Sequence, residues 1–406
     1  MIGQLLALAM ALNLTGTIQI DEFSKARDAL MSALQKRDES AICDAIETLS
    51  GHDQEESAEL MLRFGMAHES LLVHQESLRL LRTLESQGAR EAIRTAARKS
   101  RDPSRRLDAL RVLRAWPQSL SRPELVLSLK DRSWLVVSEA VRGLRDHRAA
   151  ESVGALIARM PDARGRLLED FREALLALTG QALPPEADLW KIWWRENQQD
   201  WKPPAPEADE SKDEQKSLPT AVRQGLYGEI VSERVIFLVD VSGSMLAETS
   251  VGGSRIEVAR TELRRALESG LDPKSRFSVV AFSEEVMRFS PSLVKARGPI
   301  LKKALKFVEG LRAGGETNSY GALEAAFSDR EVDTIYLLSD GSPTVGKETS
   351  LTLILDAVTR WNRYRGTRIH CIGLFAGDAP RQDLPQAREF LRRLAHANQG
   401  RYTEIR

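Results

Sequence analysis

Disulfide chemistry has almost nothing to work with in this chain. Only two cysteines, Cys43 and Cys371, occur in 406 residues, and their separation argues against a stapled framework while saying little about compartment. A charge of one sign is missing too. Fifty-eight basic residues balance 58 acidic ones, so no whole-molecule field draws the chain to nucleic acid. No apolar run is long enough to span a bilayer, and the stretch Ile2–Leu12 falls well short. Histidine is scarce: His52, His68, His74, His147, His370 and His396 show neither an HExxH pattern nor paired metal spacing. His370 lies in the apolar run 369–375 and reads as a core residue. There is no Gly-x-Ser-x-Gly elbow and no Gly-x₄-Gly-Lys-Ser/Thr loop, which argues against a hydrolase and against a nucleotide-driven motor. A content of 42% hydrophobic and 29% charged residues, by contrast, suits globular domains, and the length allows two or three of them.

What is present begins with Val235-Ile236-Phe237-Leu238-Val239, five apolar and mostly β-branched or aromatic residues that predict a strand buried on both faces. The strand runs into Asp240-Val241-Ser242-Gly243-Ser244, a carboxylate followed by two hydroxyls. A glycine-rich loop, Ala313-Gly314-Gly315-Glu316-Thr317-Asn318, comes later. A second buried strand, Asp333–Ser339, ends in Asp340-Gly341. Hydroxyl and carboxylate oxygens are the hard ligands that Mg²⁺, Mn²⁺ and Ca²⁺ accept, and the carboxyl ends of strands are where open α/β sheets place ligands. Taken singly, each piece has a plainer reading. Ser and Gly after a strand are turn residues, and Thr317 could cap the helix that follows. A phosphoaspartyl phosphatase needs a second aspartate two positions after the first, and Ser242 stands there.

Together these residues resemble the von Willebrand factor A domain and its metal-ion-dependent adhesion site, written D-x-S-x-S, then T, then D. The match falls on Asp240, Ser242, Ser244, Thr317 and Asp340. The resemblance implies that both serines bind the cation directly and that Thr317 and the aspartates bind it directly or through water. It also implies that an acidic side chain of a protein partner completes the coordination. Mg²⁺ is the expected ion, with Mn²⁺ or Ca²⁺ as alternatives, and the protein is expected to be non-enzymatic. Leu226-Tyr227-Gly228 and Gly400-Arg401-Tyr402 extend the likeness to bacterial members, over about 218–406. Apolar runs alternate in helical and strand period through this region, from a helix at 255–268 to a last strand at 401–405. They predict a doubly wound, mostly parallel, Rossmann-like sheet.

The first half reads differently. From about residue 21 to 198 the pattern is helical and repetitive: Ala109, Ala140 and Ala174 recur in like surroundings at intervals of 31 and 34 positions. Such a period means stacked helical pairs. These units resemble HEAT-type repeats, an all-α solenoid with a surface for a second partner. Arginines crowd 94–114, and interspersed acids make a solvated helical face the better reading than an anion-binding one. Trp190, Trp193 and Trp194 share one face of a short terminal helix and read as packing residues. Residues 199–218, Pro-rich and then charged, form the linker to a C-terminal domain at 219–406. Residues 1–20 resemble a secretory signal lacking its basic start, or else a first helix. The expectation is export to a periplasm or cell surface. The alternatives are a cytoplasmic regulatory or assembly subunit partnering an ATPase, and a structural domain whose metal site is unused.

Overall fold

The structure, a computed structural model, describes residues 22–204, 225–249, 252–375 and 384–405. The segment 1–20 and most of the linker (205–218) therefore lie outside the described residues. The chain divides into a helical unit ending at Pro204 and a C-terminal unit that also takes in Arg164–Glu169. No helix among the described residues is long and apolar enough to cross a membrane.

In the first unit the helices are α1 (22–36), α2 (Glu39–Ser50), α3 (Glu55–Leu60, extended by one wide turn to Gly65), α4 (Leu71–Leu81) and α5 (Gln87–Lys99). They continue as α6 (Pro103–Leu113), α7 (Gln118–Ser128), α8 (Trp134–His147), α9 (Ala150–Arg159), α10 (Gly165–Thr179) and α11 (Ala187–Asn197). Their starts are chemically marked. Asp38, Ser86 and Asp102 each accept a backbone N–H of the first turn, filling a donor the helix leaves orphaned. Packing runs from each helix to the next but one as well as to its neighbour: α2 meets α4, α3 meets α5, α6 meets α8 and α9 meets α11. The equivalent alanines Ala109, Ala140 and Ala174 are all buried. In the terminal helix, Trp190 is buried and its indole donates to Pro184 O at 3.0 Å, while Trp193 and Trp194 stack on each other half-exposed.

Several of the crowded arginines, and Arg122 after them, pair with acids 25 to 32 positions further on. Arg98 bonds Glu124 (2.7 Å), Arg106 bonds Asp131 through both carboxylate oxygens (2.7 Å each), Arg114 holds Glu139 and Asp146, and Arg122 meets Glu151 at 2.8 Å. Glu139 is the deepest of these acids, 2% exposed, and Arg142 joins Arg114 on it. Burial alone would raise its carboxyl. Arg142, Arg114 and Arg111 overturn that and hold it down at about 2.

The second unit builds one sheet from β1 (Arg234–Asp240), β2 (Arg276–Phe282), β3 (Val286–Arg288), β4 (Val294–Lys295), β5 (Thr334–Ser339), β6 (Arg368–Leu374) and β7 (Tyr402–Ile405). The order is β3-β2-β1-β5-β6-β7, with the pairs β2–β1–β5–β6–β7 all parallel and the short β3 and β4 antiparallel to β2. Along β1 the side chains alternate between two cores. Val235, Phe237 and Val239 pack under α12 (Arg255–Arg265) and α13 (Gly298–Glu309). Ile236 and Leu238 pack under α14 (Ser319–Phe327), α15 (Leu351–Asn362) and α16 (Leu384–Ala397). Helices cover both faces, as expected of a parallel sheet whose strands are apolar throughout. Helix α13 begins at Gly298, because Pro299 in a first turn starts a helix rather than breaking it. Strand β4 is only two residues long and went unread.

Replacing Glu139 with Gln leaves half-buried Arg142 without its counter-charge and Arg114 with Asp146 alone. Urea unfolding at pH 7 is expected to show a loss of about 3 kcal/mol. The folded carboxyl lies below its ordinary 4.5, so the wild-type advantage is complete above pH about 4.5 and shrinks as pH falls from there towards 2. The gap between the two proteins in thermal melts should be smaller at pH 3 than at pH 7.

Candidate metal centre

The chain runs from β1 outward through β2 and β3 on one side, then from β5 outward through β6 and β7 on the other. Its direction thus reverses between β1 and β5, and the crevice at their carboxyl ends is where such a sheet leaves room for a ligand. Asp240 ends β1. In the β1–β5 register Val239 faces Leu338, which sets Asp240 beside Ser339 and puts Asp340 just past the end of β5. Both aspartates are fully buried.

Each carboxylate is held by local chemistry. Asp240 Oδ1 accepts the Ser242 N–H at 2.8 Å, which folds the strand end into a tight turn, and Oδ2 accepts the Ser339 hydroxyl at 2.5 Å. Beyond that turn the hydroxyls of Ser242 and Ser244 lie 3.0 Å apart, and Ser244 Oγ donates to Asp340 Oδ1 at 2.6 Å. The other oxygen, Oδ2, takes the Arg255 guanidinium at 2.5 Å. Four of the five candidate ligands are therefore linked in one hydrogen-bonded set: Asp240, Ser242, Ser244 and Asp340.

Thr317 approaches through its loop. Gly243 N donates to Gly315 O and Gly314 N to Val241 O, each at 2.8 Å, clamping the glycine-rich loop onto the serine turn. Glycine is needed on both sides of the clamp. Gly315 has φ +78°, and a Cβ on Gly243 would sit 3.3 Å from Gly315 O. Thr317 is 5% exposed, and its hydrogen bonds among the described residues are made by its backbone, to the Thr344 hydroxyl (2.9 Å) and from Thr344 N (2.9 Å). The cap of α14 is Asn318, whose side chain accepts Gly321 N at 2.8 Å, so Thr317 is not occupied as a helix cap.

Three participants were not read from the sequence: Ser339, Arg255 and Thr344. In the sequence Ser339 marks only the end of a strand before the expected aspartate, and Arg255 only the start of a helix. His370, by contrast, stacks on Tyr336 (4.8 Å between rings) and meets Arg401 N at 3.1 Å, far from any ligand set. Among the described residues no three His, Cys, Asp or Glu side chains converge, so a cation here would rest on two carboxylates and hydroxyls.

Residues 235–342 match the family model of the von Willebrand factor type A domain. The C-terminal unit contains such a domain. Human von Willebrand factor A domain-containing protein 3A is 32% identical over 178 residues, which is 44% of this chain and 14% of that protein. Mouse inter alpha-trypsin inhibitor, heavy chain 4, is 35% identical over 140 residues, 32% of this chain and 14% of its own length. The chain thus spans about a seventh of these relatives. Among solved structures, a von Willebrand factor type A protein from Catenulispora acidiphila overlaps 43% of this chain and 38% of its own at 22% identity and a TM-score of 0.35. Manganese-loaded TRAP protein of Plasmodium vivax overlaps 40% of this chain and 62% of its own at 20% identity and a TM-score of 0.29. Overlaps this loose carry no weight about the site.

Burial, and then the neighbouring Asp340 charge, push the Asp240 carboxyl up from its ordinary 3.8 to about 6. A raised carboxyl means that charging it costs folding stability as pH climbs from about 4 to 6. Asp240→Asn keeps an acceptor for Ser242 N and can donate to Ser339 Oγ, but carries no charge. In chelator at pH 7 the variant is expected to be the more stable by about 2 kcal/mol, with the gap closing towards pH 4 in thermal melts.

Proposed function

We propose that this protein is a non-enzymatic interaction protein whose C-terminal domain holds a divalent cation, Mg²⁺ first, between Asp240, Ser242, Ser244, Thr317 and Asp340. The cation would then be offered to an acidic side chain of a protein partner. The observation that carries this reading is the hydrogen-bonded run Ser242–Ser244–Asp340 beside buried Asp240, at the crevice where the sheet reverses. The donors fit the ion: all are hard oxygens, and Mg²⁺ at about 2.1 Å keeps several waters and needs few protein ligands. A bound cation would act as a Lewis acid with coordination positions open to a carboxylate. Among the described residues no nucleophile–base pair accompanies the aspartates, so the arrangement favours holding a partner over transforming it. The matched relatives share only about a seventh of their length with this chain, so the partner is identified by its acidic group alone.

The helical unit supplies a second surface on this reading. Packing of each helix on the next but one is the arrangement a HEAT-like solenoid requires. Leu72, Leu127 and Leu176 remain more than 40% exposed along it.

Calorimetric titration of the full chain tests the centre. Wild type is expected to bind Mg²⁺ and Mn²⁺ and to gain about 3 °C in its melting midpoint at cation concentrations some tenfold above Kd. Asp240→Ala and Ser244→Ala should lose the heat signal and the shift while still unfolding cooperatively. Equal cation affinity in wild type and both variants would refute the assignment.

A further inference from the structure

The arginine at the centre is the unexpected element. Arg255 is 5% exposed, forms an ion pair with Asp340, and lies 3.4 Å from the Ser244 carbonyl. Its position is fixed by the backbone: Ser254 and Glu257 form a capping box at the start of α12, and Arg255 N donates to Ala247 O at 2.9 Å, anchoring the helix start to the serine turn. Both Asp340 oxygens therefore have partners, Ser244 on one and Arg255 on the other.

Counting charges shows what this does. Asp240 and Asp340 together bring two negative charges and Arg255 one positive, so the empty centre carries −1 and a divalent ion takes it to +1. Without the arginine the same steps run from −2 to zero. We propose that Arg255 is a specificity-determining residue of the centre, lowering its affinity for the cation in order to leave the loaded site with surplus positive charge that selects an anionic, carboxylate-bearing partner. This rests on the cation reading above and goes beyond it. Two binding steps are coupled in opposite senses through one buried side chain, because a fixed charge in low-dielectric surroundings repels the metal and attracts the anion alike.

The test uses the full chain with Mn²⁺ and acetate as probes, at pH 8. Mn²⁺ affinity is read from the paramagnetic resonance of the free ion. Acetate binding is read from the fall in water-proton relaxivity as a metal-bound water is displaced. Relative to wild type, Arg255→Met should bind Mn²⁺ about tenfold more tightly, and its loaded form should bind acetate about tenfold more weakly. Arg255→Lys, which keeps the charge, should stay near wild type in both. Arg255→Gln takes the place of Arg255→Met if melting shows that the latter does not fold. Tighter Mn²⁺ with weaker acetate supports the proposal, as does a wild type that binds no Mn²⁺ beside a neutral variant that does. Unchanged or parallel affinities in a folded neutral variant overturn it while leaving the cation centre standing. Absence of Mn²⁺ binding in every form removes the centre and the proposal together.

Discussion

Two fully buried carboxylates, set side by side at the ends of adjacent parallel strands, are the constraint around which the C-terminal unit is arranged. Neighbouring charges in such surroundings repel by several kcal/mol, and each has also lost its water. The structure answers with the means closest to hand: a backbone N–H and a hydroxyl on Asp240, a hydroxyl and a guanidinium on Asp340. The answer is incomplete. One arginine for two aspartates leaves Asp240 as the group with the unmet need, and its raised carboxyl records that shortfall.

The helical unit meets the same problem with the opposite outcome. Glu139 is buried as deeply as the aspartates nearly are, yet it has two arginines in contact and a third nearby, and its carboxyl sinks to about 2. Arg106 with Asp131, and Arg98 with Glu124, are further ion pairs that join one helix to a later one. An acid supplied with more cation than it needs is a structural fastener between successive helical pairs. An acid supplied with less is a site waiting for charge. That contrast distinguishes the two kinds of buried carboxylate in this chain better than burial itself does.

What could be read from the sequence follows from how far each contact reaches. Asp240, Ser242 and Ser244 lie within five residues, and strand propensity fixes where Asp240 must stand. The second aspartate announces itself by ending another apolar strand. The supports are a different matter. Ser339 meets Asp240 across 99 positions and Arg255 meets Asp340 across 85, and neither residue has a local signal that separates it from an ordinary strand end or helix start. The arginine cluster was legible as a charged face, but its inter-repeat pairing was not, since spacing alone does not say which acid turns towards which base. Strand β4 is too short to leave any periodicity.

Hydroxyl ligands complete the logic of the centre. Serine and threonine oxygens are neutral, so they can crowd one point without adding to the repulsion between Asp240 and Asp340, and they give up little when an ion leaves. A cage of four or five carboxylates would hold a divalent cation tightly and finish with no charge to spare for a partner. Here the turn at Ser242–Ser244 and the loop clamped to it through Gly243 and Gly315 bring neutral oxygens beside Asp240, Asp340 and Arg255. On the proposed reading the donor set and the arginine work in the same direction: both would keep the grip on a cation modest, and a modest grip would let the cation serve as a reversible bridge.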